Sequence, residues 1–190
     1  MKKLLLLLLA ITLSTVSYSQ LTNDNFQEAI NTCLLNNPVD GLCSTSEFGA
    51  MPDWDVSQVT DMSSSFESKA DFNGDISKWD TSSVTNMQSM FNAASKFNQL
   101  LKWDTSSVTN MRYMFTGASV FNQSLDWDTS KVENMEEMFT EASVFNGDIS
   151  NWDTGSVTNM RFMFYKASVF NGDISNWNTG SVTNMRFMFY

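Results

Sequence analysis

Carboxylates dominate the reactive side chains of this chain, which carries 21 Asp and Glu, two Cys and no His among 190 residues. Without an imidazole, Ser-His-Asp and Cys-His nucleophilic catalysis have no general base. Two Cys with no His do not make a zinc shell either. What remains is a carboxylate pair of glycosidase type, or oxygen ligation of a cation such as Ca²⁺. The placement of the acids speaks against the pair. Asp55, Asp80, Asp104, Asp128 and Asp153 each follow a Trp, so they recur in near-identical surroundings. An acid–base pair needs two different surroundings that push its pKa values apart. If the units stack, these carboxylates lie about 5 Å apart and repel. Either a cation bridges them, or each accepts hydrogen bonds inside its own turn. Asn178 takes the place in the last unit, keeping the acceptor and dropping the charge, which favours the turn cap. Asp75, Asp148 and Asp173 form a second, interrupted column, and the interruption weakens a cation ladder further. No enzyme activity and no cofactor are expected.

The elements that position these residues are repeats. Trp54, Trp79, Trp103, Trp127, Trp152 and Trp177 are spaced by 25, 24, 24, 25 and 25 residues. A period of this length marks a solenoid, in which each unit buries its apolar face only against its neighbours. Within a unit, apolar residues recur in steps of three and four. In the fifth they are Val157, Met160, Met163, Phe164 and Ala167, followed by Phe170. That spacing predicts a short helix burying one stripe, with Met filling the core. Thr85, Thr109, Thr158 and Thr183 are candidate N-caps. The second half, Phe-Asn-Gly-Asp-Ile-Ser-Asn-Trp, is the candidate short strand. The expected fold is therefore an α/β solenoid: a leucine-rich-repeat-like stack of short strand plus short helix per repeat, with a helical N-terminal cap. The two shorter units lose their residue just before Trp103 and Trp127, and a bulge is expected there. Asn73, Asn98, Asn122, Asn146 and Asn171 follow the second Phe of each unit. They read as a ladder that satisfies turn amides and carbonyls of neighbouring coils.

Residues 1–19 read as a secretory signal peptide: Lys2 and Lys3, an apolar run from Leu4 to Leu13, then small residues ahead of a cleavage point after Ser19. The run is short for a membrane span, so no membrane insertion is expected after cleavage. Residues 20–53 read as the N-terminal cap. Phe26, Ala29, Ile30, Cys33 and Leu34 share one helix face, with N-cap candidates at Asn23, Asp24 and Asn25 and a stop at Asn36-Asn37-Pro38. Cys33 and Cys43 read as a disulfide in an exported chain. Residues 54–190 are the repeat array, five full units and a partial sixth. Tyr190 stops short of the Ala and Phe-Asn that continue every earlier unit, so further repeats are expected beyond it.

The formal charge of −10 becomes 9 − 21 = −12 once residues 1–19, with two Lys and no acid, are removed. Such a surface repels phosphate backbones, so nucleic acid is excluded as a partner. One set of positions varies between units off the apolar stripe: the ninth, tenth and thirteenth residues after each Trp. They are Ser63, Ser64 and Glu67 in the first unit but Arg161, Phe162 and Tyr165 in the fifth and Arg186, Phe187 and Tyr190 in the sixth; Arg112 and Tyr113 begin the change in the third. Stacked units would align these residues into an Arg-and-aromatic patch, a composition favoured at protein interfaces. The alternative is that the rings simply pack on one another.

The units Trp152-Asp153-Thr154-Gly155-Ser156-Val157-Thr158-Asn159-Met160, Met163-Phe164, Ala167-Ser168 and Phe170-Asn171-Gly172-Asp173-Ile174 resemble the BspA-like bacterial surface protein repeat, a leucine-rich-repeat relative of this length. The resemblance covers residues 54–190. It implies an exported protein, secreted or on the bacterial cell surface, that acts in adhesion, and it carries no shared catalytic residues. The expected partner is a host or neighbouring-cell surface protein. A glycan ligand or a purely structural stalk is the alternative. An ice-binding face built on Thr81, Thr105, Thr129, Thr154 and Thr179 is a third reading. The neighbouring Asp column and the unequal units speak against the regular lattice such a face needs.

Overall fold

The computed structural model describes residues 18–190; the expected signal peptide lies, through residue 17, outside the described residues. A helix, α1 (Phe26–Asn36), opens the cap and buries Phe26, Ala29, Ile30, Cys33 and Leu34. Its end is closed by the Asn37 N–H, which donates to the Cys33 carbonyl at 3.1 Å. The expected N-cap is not made by a side chain: Asn25 turns back and accepts from the Thr22 N–H at 2.8 Å. Asn23 instead reaches the first repeat, where its Oδ1 accepts the Thr60 and Asp61 N–H groups at 2.8 and 3.1 Å. In later repeats that N–H goes to the preceding coil, as Thr85 does to Thr60 at 2.8 Å. The cap thus offers the first coil the acceptor a preceding coil would supply. The Cys33–Cys43 disulfide ties α1 to the following loop, and Phe26 packs edge-on to Trp79 at 5.6 Å.

The repeats are not α/β. Among the described residues the only helices are α1 and a single 3-10 turn, Met51–Asp53. In place of strands there are isolated parallel bridges from Asp61 through Asn86, Asn110, Asn134 and Asn159 to Asn184, and one between Phe164 and Phe189. These bridges fall in the half of the repeat expected to be helical, not in the half expected to be a strand.

The cause is a pair of left-handed residues in each of the five full coils; the partial sixth holds the first of the pair. Ser64, Ser89, Tyr113, Glu137, Phe162 and Phe187, each tenth after its Trp, have φ between 55° and 61°. Ser68, Ala93, Glu141 and Lys166, four residues further on, have φ between 57° and 59°, and Gly117 has 66°. A left-handed residue cannot continue an α-helix. The chain advances as consecutive turns, in which Met138, Thr140 and Ala142 donate to the carbonyls of Met135, Glu137 and Phe139 at 3.1–3.3 Å. The alternate N–H groups leave the coil. Met135, Glu137, Phe139 and Glu141 donate to Asn159, Arg161, Met163 and Tyr165 of the next coil at 2.8–3.0 Å. Turns and helices share the three-and-four spacing of buried residues, which is why the apolar pattern reads as a helix.

Stacked side chains hold the coils in register. The six Trp rings are near-parallel, with centroids 6.1–6.4 Å apart. The Phe66-to-Phe189 column has spacings of 5.4–5.7 Å. The Phe72-to-Phe170 column has spacings of 5.8–6.1 Å. Each buried indole N–H also donates backwards, as Trp127 does to the Leu101 carbonyl at 3.1 Å. Gly147 is required where coils touch, because a Cβ there would sit 2.1 Å from the Gln123 carbonyl oxygen.

Candidate functional site

The regular polar columns are occupied inside the fold. Thr81, Thr105, Thr129 and Thr154 are buried, and their hydroxyls donate to the carbonyls of Asp104, Asp128, Asp153 and Asn178 at 2.8–2.9 Å. They form no exposed lattice, which removes the basis of an ice-binding face. The Asp column caps turns. Asp55, Asp80, Asp104, Asp128 and Asp153 accept the N–H two residues on at 2.9–3.1 Å, and Asn178 does the same for Gly180 at 3.0 Å. The hydroxyl and then the N–H of Ser57, Ser106 and Ser130 hold the Asp55, Asp104 and Asp128 carboxyls below the usual range.

The interrupted Asp column has the same local cause. Asp75, Asp148 and Asp173 accept from Ser77, Ser150 and Ser175 at 2.9–3.0 Å. Each caps an added turn in which the next Trp N–H donates to Ile76, Ile149 or Ile174 at 3.1–3.3 Å. In the shorter units the chain passes from Leu101 to Trp103 and from Leu125 to Trp127 with one residue fewer, and the Asp is absent along with the turn. Among the described residues, no three His, Cys, Asp or Glu side chains converge as a metal site. The Asn ladder is also internal: Asn98, Asn122, Asn146 and Asn171 donate N–H to the Oδ1 of the preceding Asn at 2.7–2.9 Å.

The positions that differ most from coil to coil are the ninth, tenth and thirteenth; they are buried at Ser89, Glu136 and Thr140 and part-exposed at Arg161, Phe162 and Tyr165. All three arginines of the chain, Arg112, Arg161 and Arg186, stand at the ninth. Each guanidinium lies over the ring that follows it: Arg112 on Tyr113 at 4.3 Å, Arg161 on Phe162 at 4.6 Å and Arg186 on Phe187 at 5.7 Å. The left-handed backbone at the tenth residue brings the pair to the same side. The fifth and sixth coils form one continuous surface, with Phe162 stacked on Phe187 at 5.1 Å and Tyr165 on Tyr190 at 5.5 Å. Phe162 also meets Tyr165 edge-on at 5.1 Å. Arg112 and Tyr113 stand apart, two coils away, with the fourth coil between.

On that fourth coil the variable ninth position is Glu136, a nearly buried carboxylate. Its Oε1 lies 3.2 Å from an Arg161 terminal nitrogen, and Asn159 donates to Oε2 at 3.2 Å. Arg112 Nε lies 2.9 Å from Oε2 but its N–H is not aimed at the oxygen, so that contact is an ion pair without a hydrogen bond. Arg112 also donates to the Tyr113 hydroxyl. Next to this cluster, burial first and the Glu136 charge second push the Glu137 carboxyl above its usual range. Lys166 pairs with Glu141 at 2.8 Å, and that hydrogen bond raises the amine. The sequence carried a signal for Glu136: an acid at the ninth position between two arginines at the same position. The Asn86, Asn110, Asn134, Asn159 and Asn184 column was missed. Each Oδ1 accepts the N–H two residues on at 2.9–3.2 Å, fixing the turn from which the variable face projects.

Residues 42–126 and 124–190 match the family described as Mycoplasma protein of unknown function, DUF285, and the chain belongs to that family. No curated protein and no solved structure matches it.

Proposed function

We propose that the chain is an exported bacterial surface protein whose coil stack acts as a protein-binding module in adhesion, without catalysis. The observation that carries this reading is the concentration of all three arginines, each on an aromatic ring, in one column of an otherwise acidic chain. The polar columns that repeat in every coil are engaged in structural hydrogen bonds, whereas this face changes composition from coil to coil. Arg and aromatic residues are enriched among the side chains that dominate binding energy. The signal-like N-terminus and the resemblance to BspA-like repeats support display outside the cell. Among the described residues no helix is long and apolar enough to cross a membrane.

The test compares the purified protein with the triple variant Arg161→Ser, Phe162→Ser, Tyr165→Glu, which restores the first coil's residues. Capture of matrix and cell-surface proteins is run beside a glycan array. Loss of protein capture in the variant, with the fold retained, supports the reading. Glycan binding alone moves the assignment to a carbohydrate-binding stalk. Unchanged capture with lowered stability makes the face a packing element.

A further inference from the structure

The two short coils leave one corner of the stack unlike the rest. In the long coils the turn before the next Trp uses its N–H groups. Trp79 and Trp152 donate to the Ile76 and Ile149 carbonyls at 3.3 and 3.2 Å, and Ser77 and Ser150 donate to the capping Asp75 and Asp148 at 3.0 and 2.9 Å. At the end of the third coil, which is short, Leu125 N–H donates instead to the Asp148 carbonyl of the next coil at 3.0 Å. At the end of the second coil neither arrangement is made. Residues 99–103 donate no backbone N–H to any acceptor among the described residues. Yet Leu101 and Trp103 are only 2% and 4% exposed. Both line a cavity of about 430 Å³ whose other walls are Leu100, Lys102, Ser124 and Asp126. Buried N–H groups without a partner are rare in native folds, so two of them on one cavity mark a place for an acceptor. The corner lies inside the array, with complete coils on both sides of it.

We infer that this corner takes an extended segment of a partner protein, whose backbone carbonyls accept the Leu101 and Trp103 N–H groups while one lysine or arginine side chain reaches Asp126. Residues two apart on an extended chain turn their N–H groups to the same side, which is how a sheet edge receives an added strand. Leu100 is 42% exposed where the long coils place Asp75 and Asp148, and it gives the segment an apolar seat. Asp126 is exposed, and among the described residues no cation lies within 4.0 Å of it. The acidic chain around it favours a cation there. Lys102 stands at the same rim, so the site suits a single basic side chain in an otherwise neutral segment, and a run of them meets like charge. The corner shares no residue with the Arg-and-aromatic face and stands independently of it.

The probe is the peptide acetyl-Thr-Val-Lys-Val-Thr-amide, set against the same peptide with glutamine in place of lysine. An NMR titration reads affinity and place together. The lysine peptide should bind about three- to five-fold more tightly, the range for one exposed ion pair. Both peptides should move the Leu101 and Trp103 amide protons downfield, as a new hydrogen bond does. Asp126→Asn should make the two peptides equal with the melting temperature unchanged, because Asp126 pairs with no cation of its own chain. Replacing residues 99–102 by Gly-Asp-Ile-Ser-Lys, the sequence of residues 74–78, builds the missing turn and should abolish binding with the fold retained. No binding, binding that survives the turn replacement, or a lysine preference that survives Asp126→Asn overturns the inference. Binding that leaves the Leu101 and Trp103 amides unmoved overturns it as well. A long-lived water on these amides, with no peptide bound, makes the corner a hydration site and also overturns it. The variant Arg161→Ser, Phe162→Ser, Tyr165→Glu should bind both peptides as the parent does. Loss of binding there overturns the corner as the site and leaves the protein-binding reading of the other face standing.

Discussion

Replacing Thr129 by Val separates a structural Thr column from a displayed one. Thr129 is fully buried, and its hydroxyl donates to the Asp153 carbonyl of the next coil at 2.8 Å. No backbone N–H donates to that carbonyl among the described residues. Val keeps the shape and removes the donor. Leaving this part-buried acceptor without its donor costs at most about 1–3 kcal/mol, while the added methyl returns about 0.8 kcal/mol. The net loss is about 0.2–2.2 kcal/mol, centred near 1 kcal/mol, and 1 kcal/mol lowers the melting temperature of a fold of this size by roughly 2–4 °C.

The six stacked Trp rings report unfolding by fluorescence, and the denaturant midpoint should fall with no change in slope. Thr179→Val, at an exposed position of the same column, is the matched control. That variant should unfold with the parent. If Thr129→Val were as stable as the parent, the inter-coil hydroxyl bond would contribute nothing, and the reasoning that assigns this column to the interior would fail.

Met160 is fully buried in the fifth coil and donates its N–H to Asn184 of the sixth at 2.9 Å. Met160→Asp places an unpaired charge in that core. Hydrogen exchange should accelerate in the fourth and sixth coils as well as the fifth, and acceleration confined to the fifth would contradict coupling between coils. Glu137→Gln tests the raised carboxyl. A folded pKa above the unfolded value of about 4.3 means this group stabilises below that pH and loses the contribution as pH rises through its folded pKa. The Gln variant should therefore be the more stable protein at pH 7, with the difference vanishing below about pH 4. An equal or lower denaturant midpoint for Glu137→Gln at pH 7 would reverse the assignment.

The period of the repeat and the face of α1 were legible from residue type and spacing, and the Asp turn cap from the one unit that departs from the column. Asn178 identified the cap by keeping the acceptor without the charge. The conformation of the coils was not legible. Val157, Met160, Met163 and Phe164 have helical spacing, and consecutive turns bury residues at the same spacing. The usual marker of a left-handed residue is Gly or Asn. Here only Gly117 supplies it, while Ser64, Glu137, Phe162 and Lys166 adopt the same backbone without it. The burial of Glu136 and its pairing with Arg112 and Arg161 were not legible for another reason. It is the one acid at a position that otherwise holds Ser, Gln or Arg, so no neighbouring repeat marks it as a partner.

The left-handed tenth residue also bears on how the face is to be understood. The six residues there are Ser64, Ser89, Tyr113, Glu137, Phe162 and Phe187, small, acidic and aromatic, in nearly one conformation. A left-handed backbone costs an L-residue about 1–2 kcal/mol whichever side chain it carries, so the inter-coil N–H bond at this position must be the feature the fold maintains. The side chain is then set by something other than the core. Stacking of Phe162 on Phe187 contributes to stability, but Ser64 and Ser89 occupy two coils that keep the same inter-coil bonds without any ring. Ring packing alone does not call for the arginines; the shared ion pair with buried Glu136 accounts for Arg112 and Arg161. The binding surface proposed at these positions would give a reason for the rings that these coils carry and the first two do not.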